Sequence, residues 1–183
     1  MFLVMHKPPF FALLSIVFHF SILHSLALTI AENNEARAAI VVDSSATSAR
    51  RFAADDLARH LNKITGGEFT VQFAPADDRP NILVGLPAVN MLYADVDAAG
   101  LGSDGIVMRM VDKNLLLFGG EPRGTLYAAF TFLEDILGCR WWAPGVSTIP
   151  KRPTIRLDGM DVRYVPQFEY RDFQFKTTGA WSA

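Results

Sequence analysis

The chain has 183 residues, half of them hydrophobic, and a formal net charge of −2 at neutral pH. This composition excludes an intrinsically disordered chain, which would be poor in apolar residues and strongly charged. The near-neutral charge and the lack of a long lysine and arginine run argue against a nucleic-acid partner. The length accommodates one domain of ordinary size with a leader and a tail.

Residues 1–31 open with a short segment that holds one lysine and continue as a long apolar run without formal charge. Small residues at Ser25 and Ala27, or at Thr29 and Ala31, provide the −3 and −1 positions of a signal peptidase site. We expect a cleaved signal peptide and therefore a secreted or periplasmic protein. The alternative is an uncleaved anchor, because the run is long enough to span a bilayer; a membrane is a partner only in that case.

Periodicity in the first half of the remaining chain predicts a buried strand and then an amphipathic helix. Residues 39–42 form a short β-branched apolar run that is typical of a buried strand. Apolar residues then recur at three- and four-residue steps, which predicts a helix over residues 48–65 that Gly66 would end. Further patterns predict two strands and a short helix, at residues 69–73, 81–85 and 88–93 respectively.

The second half is predicted to hold a β-hairpin and a second helix. Apolar runs at residues 106–111 and 115–118 flank a short polar turn, as in a hairpin. The glycine-rich segment 119–125 then opens a helix that Gly138 would end. Its glycines resemble a phosphate-binding loop, but no lysine follows the last glycine, so we interpret it as a strand-to-helix turn with Pro122 in the first helical turn. Short strands at residues 140–142 and 154–157 are expected on either side of an extended connection, 144–153.

These elements predict an α/β protein, more closely an α+β sandwich. Strands joined by tight turns pair antiparallel, and two amphipathic helices must each bury one face. We therefore expect a mixed, mostly antiparallel sheet with the two main helices on one face.

Little in the sequence marks a reactive centre, and no catalytic residue is predicted. Cys139 is the single cysteine, so no intrachain disulfide can form, and we interpret it as a buried small hydrophobe. His60 is interpreted as a surface histidine on the polar side of the first helix, and the adjacent Asp55 and Asp56 as solvated charges. Metal sites need clusters of histidine, cysteine or carboxylate, and we expect neither a metal nor a cofactor.

The adjacent Trp141 and Trp142 are the candidate binding residues. Exposed indole rings can stack on sugar rings because both present flat apolar faces. Neighbouring strand residues point to opposite faces, so core packing of one ring and an interdomain contact of the other is the alternative, which we favour.

Four segments of the second half occur in an order that resembles a known family: DGIVMR (104–109), LLLFGG (115–120), PRGTLYA (122–128) and FLEDILGCRWWAPG (132–145). The chain resembles the N-terminal domain of α-glucuronidases of glycoside hydrolase family 67, and in layout the accessory domain of β-N-acetylhexosaminidases. The resemblance implies a small α/β sandwich that precedes a catalytic (β/α)8 barrel, which needs ~250 residues. Residues 167–175 look like the entry into the first barrel strand, where Arg171 would contact the sugar.

The resulting organisation is a signal peptide at 1–31, an accessory domain at 32–165 and the truncated start of a barrel at 166–183. The predicted function is a non-catalytic accessory domain of a secreted glycoside hydrolase. Its partners would be a (β/α)8 barrel, in cis or from another chain, and carbohydrate indirectly. A free-standing carbohydrate-binding module with an exposed aromatic platform at Trp141, Trp142 or Tyr170 is the alternative. A third hypothesis is a small hydrolase with an unfamiliar active site.

Overall fold

A computed structural model of the protein describes residues 27–168. The strands are β1 (Leu28–Glu32), β2 (Glu35–Ala36), β3 (Ala39–Val42), β4 (Val71–Gln72), β5 (Asn81–Val84), β6 (Ile106–Val111), β7 (Asn114–Gly119), β8 (Arg140–Ala143), β9 (Val146–Thr148), β10 (Ile155–Leu157) and β11 (Asp161–Tyr164). The helices are α1 (Ser48–Thr65), α2 (Leu86–Val89) and α3 (Gly124–Thr131), and α3 continues as a π-helical segment, Phe132–Ile136. Arg171 and most of the predicted leader and barrel entry lie outside the described residues.

The strands form one central sheet and two small ones. The central sheet has six strands in the order β11-β6-β7-β5-β3-β4. In it β4, β3, β5 and β7 are parallel, whereas β6 and β11 pair antiparallel. The small sheets, β10-β1-β2 and β8-β9, are antiparallel throughout. The predicted mixed α+β fold is thus confirmed, with antiparallel pairs in the majority over the three sheets.

Two apolar layers cover the central sheet. Because side chains alternate along a strand, Ile40 and Val42 face one layer while Ala39 and Val41 face the other. The first layer packs under α1 and α3, which confirms that the two main helices share a face. The second layer packs under α2 and the loop that carries Leu101.

Helix α1 has the predicted bounds because its ends are specified locally. The Thr47 side chain accepts a hydrogen bond from the Arg50 amide at 3.4 Å, which satisfies one of the free N–H groups at the start of the helix. At the other end Gly66 takes a left-handed conformation with φ of 78°, which glycine adopts without steric cost.

The interpretation of His60 and Asp56 as surface groups is wrong. Their relative exposures are 3% and 4%. The His60 Nδ1 atom lies 2.9 Å from the Asp56 carbonyl oxygen and 3.0 Å from its Oδ2. Helix α1 packs beside α3 as well as on the sheet, so it buries a second flank that periodicity toward one sheet does not reveal. Asp55, on the remaining face, is exposed as expected.

Strand β1 was not predicted, because its apolar residues look like the end of the leader. Leu28, Ile30 and Ala31 are all at most 2% exposed and belong to the first apolar layer. The strand pairs with β10, with Leu28 opposite Leu157. The domain therefore includes residues 28–31, which the sequence alone placed in the signal peptide.

Two further elements differ in extent from the prediction. The strand expected from residue 69 begins at Val71, because the Phe69 amide donates to the Asn62 Oδ1 atom of α1 at 2.6 Å rather than to a strand. Residues 144–153 are not extended throughout, since Gly145, with φ of 77°, reverses the chain and pairs β9 with β8. The short helix predicted at 88–93 is displaced to α2.

Candidate functional site

Large aromatic side chains form a surface at the end of the described chain, which we name the exit face: Tyr127, Phe130, Trp141, Tyr164 and Phe168. Phe168 is 71% exposed and Tyr164 is 52% exposed. Soluble proteins rarely leave such side chains together in water unless the surface binds something. The exit face is therefore the main candidate site.

A shallow groove of about 290 Å³ runs across the exit face between α3 and β11. It is lined by Asp104, Ile106, Tyr127, Phe130, Thr131, Glu134, Tyr164 and Pro166. A second groove of about 260 Å³ shares Asp104 and Pro166 and extends to Phe168. The two grooves make one continuous depression that leads toward the point where the described chain ends.

The hairpin β8-β9 holds the two tryptophans at the side of this depression. The Trp141 ring packs edgewise on Phe130 and His60, with centroid distances of 5.4 and 5.6 Å. Trp142 donates from Nε1 to the Thr148 hydroxyl at 3.0 Å, which fixes an indole that is 68% exposed. Trp141 is 39% exposed, so both rings reach solvent, Trp142 far more than Trp141.

Tyr127, Phe130 and Tyr164 were not predicted as site residues. Phe130 is half-buried, and the buried positions of α3 and its π-helical continuation are Gly124, Thr125, Ala128, Ala129, Phe132 and Leu133. The close sequence spacing of Tyr127 and Phe130 was the one available signal. Tyr164 joins them only through the pairing of β11 with β6.

Strand β11 borders the same depression and forms one edge of the central sheet. All four of its residues are exposed, and within residues 27–168 it pairs with β6 alone. A free strand edge presents N–H and C=O groups that another strand can bind. The Asp161 carboxylate is engaged by Arg109, whose Nε lies 2.7 Å away.

Two acids line the groove, but they differ in surroundings. The Asp104 side chain is 10% exposed and lies 2.8 Å from the Arg123 guanidinium, and it also accepts from the Ser103 hydroxyl. This pairing neutralises the Asp104 charge and anchors the loop before β6. Glu134 is exposed at the end of α3. Within residues 27–168 no group of three or more histidine, cysteine, aspartate or glutamate side chains could hold a metal ion.

Backbone amides of the glycine-rich turn before α3 form hydrogen bonds with carbonyl groups of the preceding loop. The Gly120 amide donates to the Gly105 carbonyl at 3.0 Å, and the Gly124 amide donates to the Ser103 carbonyl at 3.0 Å. A side chain at Gly120 or Gly124 would collide with this neighbouring backbone. These glycines serve close backbone packing, and Pro122 precedes α3 rather than lying in its first turn.

A group of charges, which we name the edge cluster, lies at the carboxyl ends of parallel strands and consists of the buried Asp43 and Arg50 and the half-exposed Glu121. Arg50 Nε lies 3.3 Å from Asp43 Oδ1 without hydrogen-bond geometry, and its Nη1 donates to Glu121 Oε1 at 2.7 Å. Open α/β sheets commonly bind ligands outside this end of their strands. Here the Arg50 side chain, 10% exposed, occupies that position.

Cys139 is fully buried, as predicted. Burial raises the pKa of its thiol, and the nearby guanidinium of Arg140 opposes the rise only in part. Because the thiolate is the nucleophilic form, a raised pKa makes Cys139 unreactive at neutral pH.

The sequence also matches a known protein family. The sequence profile of the glycosyl hydrolase family 67 N-terminus matches residues 23–132. A comparison with curated protein sequences gives no significant match.

Several solved structures are similar in fold. One is a family GH115 4-O-methyl-α-glucuronidase, BtGH115A, with specificity for decorated arabinogalactans, with a TM-score of 0.57, 18% identity, and coverage of 78% of this chain and 19% of that one. CpGH84D gives a TM-score of 0.44 at 16% identity over 60% of this chain and 19% of that one. A GH138 enzyme targeting pectin rhamnogalacturonan II gives a TM-score of 0.40 at 17% identity over 65% of this chain and 15% of that one.

The chain thus spans about a fifth of the length of the GH115 enzyme, and at 18% identity the similarity shows the fold alone. The family 67 profile, in contrast, matches more than half of the sequence. The chain belongs to the glycosyl hydrolase family 67 N-terminal domain family and is a glycoside hydrolase-associated domain.

Proposed function

We propose that this chain is a secreted, non-catalytic accessory domain whose exit face packs against the catalytic domain of a glycoside hydrolase. The catalytic domain would be a (β/α)8 barrel, in the same chain or in another. The observation that carries the proposal is the group of exposed aromatic side chains along the two adjoining grooves, which reach Phe168, since exposed apolar side chains that lie together mark an interaction surface.

The position of the exit face supports a neighbouring domain as its occupant. Tyr164 and Pro166 line the groove and lie directly before the segment that resembles a barrel entry, so a following domain would start against this surface. Interfaces between domains of one chain typically bury roughly 600–1,500 Å². We expect a contact of that size to include the neighbouring β8-β9 hairpin, whose Trp141 packs on Phe130 of the groove. The free edge of β11 could extend the contact by strand pairing.

Amide hydrogen exchange tests this docking with the barrel of a family 67 α-glucuronidase as the probe. We expect the barrel to protect α3, β8 and β11 and to leave β4 unchanged. Tyr164→Asp should abolish the protection. Phe73→Asp is the matched control, because Phe73 is 50% exposed and lies beside β4 at the opposite edge of the sheet. Equal loss of protection in both variants would contradict docking through the exit face.

The proposal also requires the isolated chain to be inactive. We expect no hydrolysis of aryl glycosides or glucuronoxylan fragments, because no motif marks two acids of the chain as a catalytic pair, and Asp104 in the groove is engaged by Arg123. Turnover that disappears in Asp104→Asn or Glu134→Gln would show instead that the groove is an active site.

Sugar binding is the second candidate function, and the exposure of Trp141 and Trp142 supports it. An exposed indole can stack on a sugar ring. Titration with uronic acid-bearing oligosaccharides, followed by tryptophan fluorescence, separates the two functions. A saturable change that is lost in Trp142→Ala would favour a carbohydrate-binding module. No change, with barrel binding intact, would favour docking. The contact of Arg171 with sugar remains a prediction from the family resemblance.

Secretion is proposed from the long uncharged leader. Within residues 27–168 no helix is long and apolar enough to cross a membrane. Fractionation of the native host tests the proposal. Processed chain outside the cytoplasm is expected, and intact chain in the membrane would indicate an anchor.

A further inference from the structure

We infer that signal peptidase cuts between Ala27 and Leu28, so that the mature protein begins with strand β1. The inference rests on the proposed secretion. The sequence provides two sites with small residues at the −3 and −1 positions, one ending at Ala27 and the other at Ala31. The structure distinguishes the two sites, because the first directly precedes strand β1 and the second lies near the end of that strand.

Strand β1 is an integral part of the folded domain. Ile30 and Ala31 are completely buried in the first apolar layer. The strand lies in the middle of its sheet, with β10 on one side and β2 on the other. Ala31 pairs with Ile155 and with Ala36, so it joins a segment near the end of the domain to one near its start.

A cut after Ala31 would remove the middle strand of this sheet. Strands β10 and β2 would both lose the ladder hydrogen bonds that β1 makes with them. A cavity would also replace the side chains of Leu28 and Ile30 in the apolar layer. The chain left by that cut is therefore not the domain that the structure describes.

A cut after Ala27 leaves the folded domain whole. Ala27 is exposed, whereas Leu28 is 2% exposed, so this bond coincides with the surface boundary of the domain. The new α-amino group would form at the solvent end of β1, where a charge is hydrated.

The test is expression of the full chain, tagged at its C-terminus, in a secreting bacterial host. The exported protein is analysed by N-terminal sequencing and intact mass. Two variants use the same new residue at the two candidate sites. Ala27→Glu places a charge at the −1 position of the inferred site and should cause loss of the processed chain in a pulse-chase experiment. Thr29→Glu places the charge at the −3 position of the other site and should leave processing unchanged.

The outcomes separate the inference from the proposal on which it rests. Exported protein that begins at Leu28 and is lost in Ala27→Glu supports the inference. Exported protein that begins at Glu32, or processing that is lost in Thr29→Glu alone, overturns the inference and leaves secretion standing. Intact chain retained in the membrane overturns secretion itself, and the cleavage site with it.

Discussion

Replacing Arg50 by methionine removes the guanidinium from the edge cluster and leaves the Asp43 carboxylate buried without its cation. Methionine retains an apolar stem, so the variant loses mainly the charge. Asp43 keeps one hydrogen bond, since its Oδ2 accepts from the Ser45 hydroxyl at 2.8 Å. We expect Arg50→Met to be among the most destabilising single substitutions in the domain.

The size of the effect follows from the burial of each partner. Removing one member of a buried ion pair costs about 3–5 kcal/mol, because the remaining charge stays desolvated. The Glu121 side chain is 49% exposed, so its pair with Arg50 contributes at most about 1 kcal/mol. We therefore expect the free energy of unfolding to fall by about 3 kcal/mol, mostly through Asp43. At about 2–4 °C per kcal/mol for a chain of this size, Tm falls by about 6–12 °C.

Chemical denaturation at neutral pH measures the loss, with Glu121→Gln as the control that removes only the exposed pair. Adding Asp43→Asn to Arg50→Met should recover part of the stability, because a buried amide is less costly than a buried carboxylate. A loss below about 1 kcal/mol in Arg50→Met, the range of an exposed ion pair, would refute the reasoning and show that water reaches Asp43.

Three further predictions concern other parts of the domain. Gly85→Ala should destabilise the domain by about 2 kcal/mol, since Gly85 has φ of 91° and an added Cβ would lie 2.7 Å from Arg50 Cδ. Denaturation should show a smaller loss in the Arg50→Met background, because a methionine side chain is held by neither Asp43 nor Glu121 and can turn away from the added Cβ. Ile30→Ala should cost about 2–5 kcal/mol as a cavity in the first apolar layer, and a loss under about 1 kcal/mol by the same assay would show that β1 is dispensable. Because burial raises the Cys139 pKa, the thiol contributes its stability below the unfolded value of about 8.5 and loses it as pH rises further. The alkaline loss should shrink in Cys139→Ala, and a thiol reagent should label Cys139 only in denaturant.

Local patterns predicted those elements whose ends are specified by local chemistry. Helix α1 was predicted with its true bounds because Thr47 caps it and Gly66 terminates it. The β6-β7 hairpin followed from two apolar runs around a short turn. The parallel order of β3, β5 and β7 was not predicted, because it depends on how the helices between the strands return the chain.

Some residues of the exit face could be predicted from the local sequence, whereas others come together only in the folded chain. Trp141 and Trp142 could be predicted as candidate binding residues because they are adjacent in the sequence. Tyr127 and Tyr164 are far apart in the chain and become neighbours only when β11 adds to the sheet edge. Strand β1 was missed because an apolar strand that follows an apolar leader has no compositional boundary.

The π-helical segment Phe132–Ile136 lies between α3 and the β8-β9 hairpin. The Leu137 amide donates to the Phe132 carbonyl at 3.1 Å, across five residues instead of four, so this turn holds one residue more than a regular helical turn. One residue corresponds to a rotation of about 100° around a helix axis. Deletion of a single residue here would therefore swing the β8-β9 hairpin, and Trp142 with it, to another side of the domain.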